Sequence, residues 1–293
     1  MPKVLVAFGA NLGDPENTLE QVLERLAQDR RLRVLSASRP HQTQPVGNDD
    51  DQPSYTNAAI LLEFDAGALE LLELLQQVEK DFGRIRDSAG KRWKARPVDL
   101  DLILYGQEVI SQGTIEVPHP RMSFRRFVLE PAFEVAADQV HPVSGLTIAE
   151  LLQKLEKKYF FILLATSPEF DLKAIRNRLS ETNSNHAVNW SEEILDPKTI
   201  ENWRRDSEET NESFVFRFQP VRSLEAFREL ESMAQLVVLF KSTDTEKPDN
   251  AWPWAASKFR GATLELSANG NQQKMAEEIV AACQAMLPTN VAW

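Results

Sequence analysis

Apolar residues fall in short, well-punctuated runs along the first half of this chain. Val4–Phe8 is apolar and ends in Gly9-Ala10-Asn11-Leu12-Gly13, which predicts a strand entering a tight loop. Asp14-Pro15-Glu16 then offers an N-cap, a proline at the first helical position and an acidic first turn. Leu19, Val22, Leu23 and Leu26 recur at helical spacing, so residues 15–29 are predicted as an amphipathic helix. Residues 32–39 predict a second strand. His41–Pro53 is polar, with two prolines, a glycine and three consecutive aspartates, and predicts a loop. Tyr55–Phe64 predicts a third strand. Gly67–Phe82 predicts a helix, with Leu69, Leu72, Val78 and Phe82 expected on its buried side.

The next strand carries the most chemistry. In Arg96-Pro97-Val98-Asp99-Leu100-Asp101-Leu102-Ile103-Leu104, alternation puts Asp99 and Asp101 on one face and Leu100, Leu102 and Leu104 on the other. Two carboxylates so close repel unless a cation lies between them. A hard divalent ion satisfies them, and Mg²⁺ bound by one or two carboxylates usually serves a phosphate substrate. Immediately upstream, Gly83–Arg96 packs six basic and one acidic residue into 14 positions. A cationic, glycine-bearing segment leading into such a strand suits a polyphosphate. A lone Asp-x-Asp is commonly a solvent-facing pair; the neighbouring cations favour the metal.

Pro118–Pro131 predicts a turn leading into a short helix, and Leu146–Lys158 another helix. The order strand, helix, strand, strand, helix, strand is that of an α+β, ferredoxin-like domain: an antiparallel sheet with helices on one face and the other face open for ligands. From Tyr159 the pattern restarts with Tyr159–Ala165 apolar. Helix-like Asp171–Ser180, Asp196–Asp206, Ser223–Met233 and Gln272–Met286 then alternate with strand-like Ala187–Trp190, Phe214–Phe218, Leu236–Lys241 and Ala262–Ser267. That alternation predicts a three-layer α/β domain with a mainly parallel sheet, Rossmann-like or like a degenerate P-loop kinase. The boundary is expected near residue 158, giving domains 1–158 and 159–293.

Charge narrows the choice of partners. The 293 residues carry a net charge of −11, which argues against general nucleic-acid or membrane-surface binding. The basic cluster is local, as a small anionic ligand requires. One cysteine, Cys283, excludes an internal disulfide and a cysteine-built zinc site. No signal peptide or bilayer-length apolar run stands out, so a cytoplasmic, monomeric enzyme is the expectation.

The N-terminal motifs together resemble those of the 6-hydroxymethyl-7,8-dihydropterin pyrophosphokinase family of folate biosynthesis, across roughly residues 3–155. They are Gly9-Ala10-Asn11-Leu12-Gly13, Pro45-Val46-Gly47, Gln52–Ala59, Gly83-Arg84-Ile85-Arg86, Arg92-Trp93, Arg96–Asp101, Pro118–Met122 and Arg125-Arg126-Phe127. The resemblance implies transfer of the β,γ-pyrophosphoryl group of ATP to the pterin hydroxymethyl oxygen, with release of AMP. It implies that Asp99 and Asp101 hold two Mg²⁺ ions. It further implies that Arg84 and Arg92 are catalytic and bind ATP, with Arg96, His119, Arg125 and Glu79 also on the ATP side. Tyr55 and Phe127 would sandwich the pterin and Asn57 would read its edge, with Thr43, Pro45, Val46 and Trp93 beside it. Where the family usually has serine in the first loop, this chain has Ala10. The acidic triplet Asp49–Asp51 reads as a solvated tip. Fusion to other folate-pathway enzymes occurs in the family.

The second half matches none of those motifs. Its glycines are Gly261 and Gly270 alone, and it lacks the Gly-Lys-Ser/Thr ending of a phosphate loop. Pro248–Trp254 reads as a loop packed on the sheet or as a partner surface. His41, His141 and His186 suggest no partners, and Cys283 reads as inert. The competing class is a non-catalytic pterin- or nucleotide-binding regulator with a fused sensing domain.

Overall fold

A computed structural model describes residues 1–46, 52–84, 96–157, 159–165, 172–181, 187–190, 215–221, 233–241, 262–267 and 271–288, with isolated positions between 198 and 230. Chain contacts group Met1–Leu152 into one compact unit and Gln153–Met286 into a second.

The first unit is α+β. Its elements are β1 (Lys3–Ala10), α1 (Pro15–Leu26), β2 (Leu32–Ala37), β3 (His41–Thr43), β4 (Tyr55–Phe64), α2 (Ala68–Asp81), β5 (Asp99–Tyr105), a small hairpin of β6 (Ile110–Gln112) and β7 (Ile115–Val117), a short 3₁₀ turn (Met122–Phe124), α3 (Arg126–Ala136) and the first part of α4 (Ile148–Leu155). The main sheet runs β2-β4-β1-β5, with β3 also paired to β4. Its pairings are antiparallel. Asp14 caps α1 by accepting from the Asn17 backbone N–H at 3.2 Å, with Pro15 opening the helix. The Gly67 N–H at the start of α2 donates to the Glu70 carboxylate at 2.9 Å.

One face of the sheet is a continuous core. Val4, Val6 and Phe8 of β1, Ala58, Ile60 and Leu62 of β4, and Leu100 and Leu102 of β5 pack on Leu19, Val22 and Leu26 of α1 and Leu71, Leu75 and Val78 of α2. Leu69 departs from the expected buried stripe and is 52% exposed. Ala68, Leu71, Leu75 and Val78 form the buried stripe instead, at i, i+3, i+7 and i+10. The opposite face is less open than the sequence suggested, because α3 packs across β4, β1 and β3.

The three-leucine face of β5 also needs correction. Val6 pairs with Leu102 but Leu5 pairs with Leu104, so Ile103 is an extra residue and β5 carries a bulge. Beyond it the alternation changes phase, and Tyr105 rather than Leu104 joins the core under α1 and α2.

The second unit holds β8 (Tyr159–Ala165), α5 (Lys173–Glu181), β9 (Ala187–Trp190), β10 (Val215–Val221), β11 (Leu236–Lys241), β12 (Thr263–Ser267) and α6 (Gln272–Met286). The five strands form a sheet in the order β12-β11-β8-β10-β9, paired in parallel. A near-continuous apolar strand such as β8, buried along its whole length, is what a parallel sheet covered on both faces requires. Phe160 stacks on Phe216 and Trp190 on Phe218 across neighbouring strands. Cys283 is fully buried in α6, and burial pushes its thiol well above the ordinary range. Helix-like 196–206 and 223–233, Pro248–Trp254 and His186 fall largely or wholly outside the described residues.

Candidate active site

The sheet register assembles the site. Gly9 of β1 lies opposite Asn57 of β4 on one side and opposite Asp99 of β5 on the other. Ala7 lies opposite Asp101. All of these share the face turned away from α1 and α2. A Cβ placed on Gly9 would sit 3.6 Å from Asn57 Oδ1 and 3.9 Å from Asp99 Cβ. The two small residues of β1 therefore leave a floor between an amide and a pair of carboxylates.

A cavity of about 350 Å³ opens over that floor. Its lining includes Thr43, Val46, Tyr55, Asn57, Arg84, Arg96, Asp99, Asp101, His119, Arg125 and Phe127, all singled out in the sequence. Pro45 and Glu79 do not line it. Arg92 and Trp93, with Gly47–Asp51 and residues 85–91, lie outside the described residues. Gly9, Gln44, Pro120, Arg121 and Val128 also line the cavity without having been picked out individually. Gly9, Pro120 and Arg121 lie inside the motifs quoted above; Gln44 and Val128 carry no signal beyond adjacency.

Local bonds fix the two ends. At the aromatic end, the Asn57 amide donates to Thr43 Oγ1 at 2.8 Å, which decides which way the amide faces. Tyr55 donates its hydroxyl hydrogen to Gln52 Oε1 at 3.1 Å. The Arg125 guanidinium lies over the Phe127 ring, 5.5 Å from its centroid. At the acidic end, Arg84 bridges Asp99 and Glu79, and Arg96 pairs with the other oxygen of Asp99. Burial and the neighbouring Asp101 charge push the Asp99 carboxyl upward, while Arg96 and Arg84 pull it back. The Asn11 side chain accepts the Arg96 N–H at 2.8 Å, and the Asn11 N–H returns a bond to the Arg96 carbonyl at 3.2 Å. The first loop thus anchors the end of the basic segment.

Glu79 stands behind the cavity. It is 1% exposed and accepts the Leu100 N–H at 2.9 Å as well as bonding Arg84. From there it holds Arg84 and β5.

His119 is set by the β5 bulge. Its N–H donates to the Ile103 carbonyl at 2.9 Å, and its Nδ1 accepts the Arg121 N–H at 3.1 Å. That bond assigns the proton of the neutral ring to Nε2. Burial, then the nearby Arg125 and Arg121 charges, bring the His119 pKa down to about 3. At neutral pH it is an uncharged donor among cations.

Among the described residues no group of three or more acidic, histidine or cysteine side chains gathers around one point. Asp99 and Asp101 are the acidic pair facing the cavity. A two-carboxylate set suits Mg²⁺, which completes its shell with water and phosphate oxygens, and suits poorly an ion needing an all-protein cage.

A carboxylate pair ringed by arginines can take a metal-bound polyphosphate, and two aromatic rings beside a fixed amide can take a flat heterocycle. The family model for 7,8-dihydro-6-hydroxymethylpterin-pyrophosphokinase matches residues 5–137. The chain is 37% identical over 149 residues to the 2-amino-4-hydroxy-6-hydroxymethyldihydropteridine pyrophosphokinase of Haemophilus influenzae, covering 51% of this chain and 90% of that one. It is 36% identical over 171 residues to the enzyme of the same name from Bacillus subtilis, covering 58% and 87%. The folic acid synthesis protein of Pneumocystis carinii is 32% identical over 154 residues, or 52% of this chain and 20% of that protein. The chain belongs to the hydroxymethyldihydropterin pyrophosphokinase family, through its N-terminal unit.

Proposed function

We propose that this chain transfers pyrophosphate from ATP to the hydroxymethyl group of 6-hydroxymethyl-7,8-dihydropterin, giving AMP and the pterin diphosphate for tetrahydrofolate synthesis. The observation that carries it is that Asp99 and Asp101, the cations Arg84, Arg96 and Arg125, and the rings of Tyr55 and Phe127 line one cavity. The competing reading, a non-catalytic regulator, is not favoured: a binding module needs no carboxylate pair beside its cations.

The pterin is an aromatic plate with donors and acceptors on its rim. Tyr55 and Phe127 are suited to hold it by offset stacking, and Asn57, aimed by Thr43, to read its edge. Arg84, Arg96, Arg125 and neutral His119 through Nε2–H are suited to the triphosphate, with Arg92 of the basic segment expected among them. Asp99 and Asp101 would hold two Mg²⁺ ions, which neutralise phosphate charge and lower the pKa of a bound hydroxyl.

For the substrate oxygen to attack the β-phosphorus, the two reactants must lie in line, and the bond from β-phosphorus to the oxygen shared with the α-phosphate breaks as AMP leaves. Positioning and charge neutralisation supply most of such catalysis. Arg84 and Arg96 rest on Asp99; with Asp99 and Asp101 holding Mg²⁺, both guanidiniums would be free to pair with phosphate oxygens. The positive charge the phosphates need is thus stored beside the acid pair.

The strand order and antiparallel pairing of the first unit support the ferredoxin-like plan. We assign residues 1–158 to the catalytic domain and residues 159–293 to an accessory three-layer α/β domain. A coupled assay for AMP release from ATP with the pterin tests the activity. ATP consumption that ignores the pterin, or none at all, overturns it.

A further inference from the structure

We propose that Glu134 is a positioning residue for the pterin, tying together the two walls between which the pterin sits. The inference rests on the pterin reading above. One wall is α3, which brings Phe127 and Val128 to the cavity; the other is β3 and the residues after it, which bring Thr43, Gln44 and Val46. Glu134 lies seven residues after Phe127, two turns along the same stripe of α3. Its carboxylate accepts the Arg39 backbone N–H at 2.9 Å and an Arg39 guanidinium N–H at 2.9 Å, and lies 2.9 Å from His41 Nε2. Arg39 and His41 flank Pro40, whose ring locks its own φ. The carboxylate therefore grips a stiff corner just where the chain enters β3.

What is gripped matters because β3 is weakly held. It is three residues long and pairs with β4 through His41–Asn57, Gln42–Thr56 and Thr43–Tyr55 alone. A strand this short frays unless something else holds it. Thr43 at its far end orients the Asn57 amide. The path from Glu134 through His41 to Thr43 and Asn57 links the ring-bearing helix to the side chain placed to read the pterin edge.

The exposed Arg39 guanidinium is the minor part of the grip, its side chain being 84% exposed. The backbone N–H of Arg39 and the His41 ring, with side chain 20% exposed, are the major part. That separates the tie from a surface ion pair. Arg39→Ala keeps the backbone N–H; Glu134→Ala removes every bond; Glu134→Gln keeps one acceptor oxygen.

The test is steady-state kinetics of the full chain against both substrates, with melting curves for each variant. Losing one or two such bonds predicts that Glu134→Ala raises the pterin KM by about tenfold. The ATP KM and kcat should stay within about twofold, Glu134→Gln should fall between, and Arg39→Ala should match wild type. The tie is overturned if Glu134→Ala leaves the pterin KM unchanged, if the ATP KM rises in parallel, or if Arg39→Ala has the same effect. Should Glu134→Ala fail to fold, a folded Glu134→Gln with wild-type pterin KM overturns it equally. A wild-type chain without pterin-dependent AMP release overturns the proposed function instead, which keeps the two failures apart.

Discussion

The buried Glu79 carboxylate accepts the backbone N–H of Leu100 at 2.9 Å, so α2 grips β5 at the residue between the two site aspartates. The same carboxylate holds Arg84, which reaches forward to Asp99. A helix on the core side of the sheet thereby controls geometry on the ligand side.

Removing Glu79 leaves a buried N–H without its acceptor and Arg84 without its rear partner. Glu79→Ala should lose about 1–3 kcal/mol of stability, and Glu79→Gln, which keeps an acceptor for Leu100, should lose less. Urea titration measures both. A Glu79→Ala midpoint equal to wild type would remove Glu79 from this role.

Asp99→Ala and Asp101→Ala should each cut turnover by several powers of ten, since the metal charge they would hold is worth several kcal/mol at the developing oxyanions. Near-ultraviolet circular dichroism should remain native, because these side chains face the cavity rather than the core. Near-native turnover of either variant at saturating Mg²⁺ would contradict the metal assignment.

Thr43 aims Asn57. Thr43→Val keeps the shape but deletes the acceptor, so the amide loses its fixed orientation; the pterin KM should rise about tenfold, a loss of roughly 1.4 kcal/mol. Thr43→Ser retains the hydroxyl and should stay close to wild type. Equal KM values for Val and Ser variants would show that the hydroxyl is irrelevant.

The His119 pKa, brought to about 3 by burial and by Arg125 and Arg121, makes a signed prediction about pH. Below the ordinary 6.5 of a free histidine the unfolded chain binds the proton more readily than the folded one. Stability from this group is therefore complete above about pH 6.5 and is lost progressively as pH falls toward 3. His119→Asn should flatten the fall in urea midpoint between pH 7 and pH 4.5. An identical pH profile in the variant would show that His119 is not held neutral by the fold.

If residues 1–158 form the catalytic domain, a chain ending there should fold and turn over within about tenfold of full length, a barrier change under roughly 1.4 kcal/mol. Every cavity-lining residue named above precedes residue 129. A folded truncation slower by orders of magnitude would mean that residues 159–293 complete the site.

Much of this was legible along the chain. The Asp99/Asp101 face, the basic segment and the strand-helix order of the first unit follow from periodicity and charge. The roles of Tyr55, Asn57 and Phe127 came only from family resemblance, because an aromatic residue in a strand or helix ordinarily reads as core. Three features had no local signal. Leu69 looked buried because α2 has more apolar residues than one stripe can hold, and only packing chooses the phase. Glu79 enters on the ATP side from the resemblance alone, and its bonds to the Leu100 N–H and to Arg84 leave no mark in the local sequence. His41 looked solitary because Glu134 is 93 positions away.

The bulge at Ile103 makes β5 indivisible. Asp99 and Asp101 lie before the extra residue, and the carbonyl that seats His119 belongs to it. Deleting Ile103 would give a more regular sheet, with Leu104 and Tyr105 still opposite Leu5 and Val4, yet it would remove the carbonyl that seats His119. The distance between the acid pair and the histidine is counted in residues, and a designer transplanting this strand must keep the irregularity.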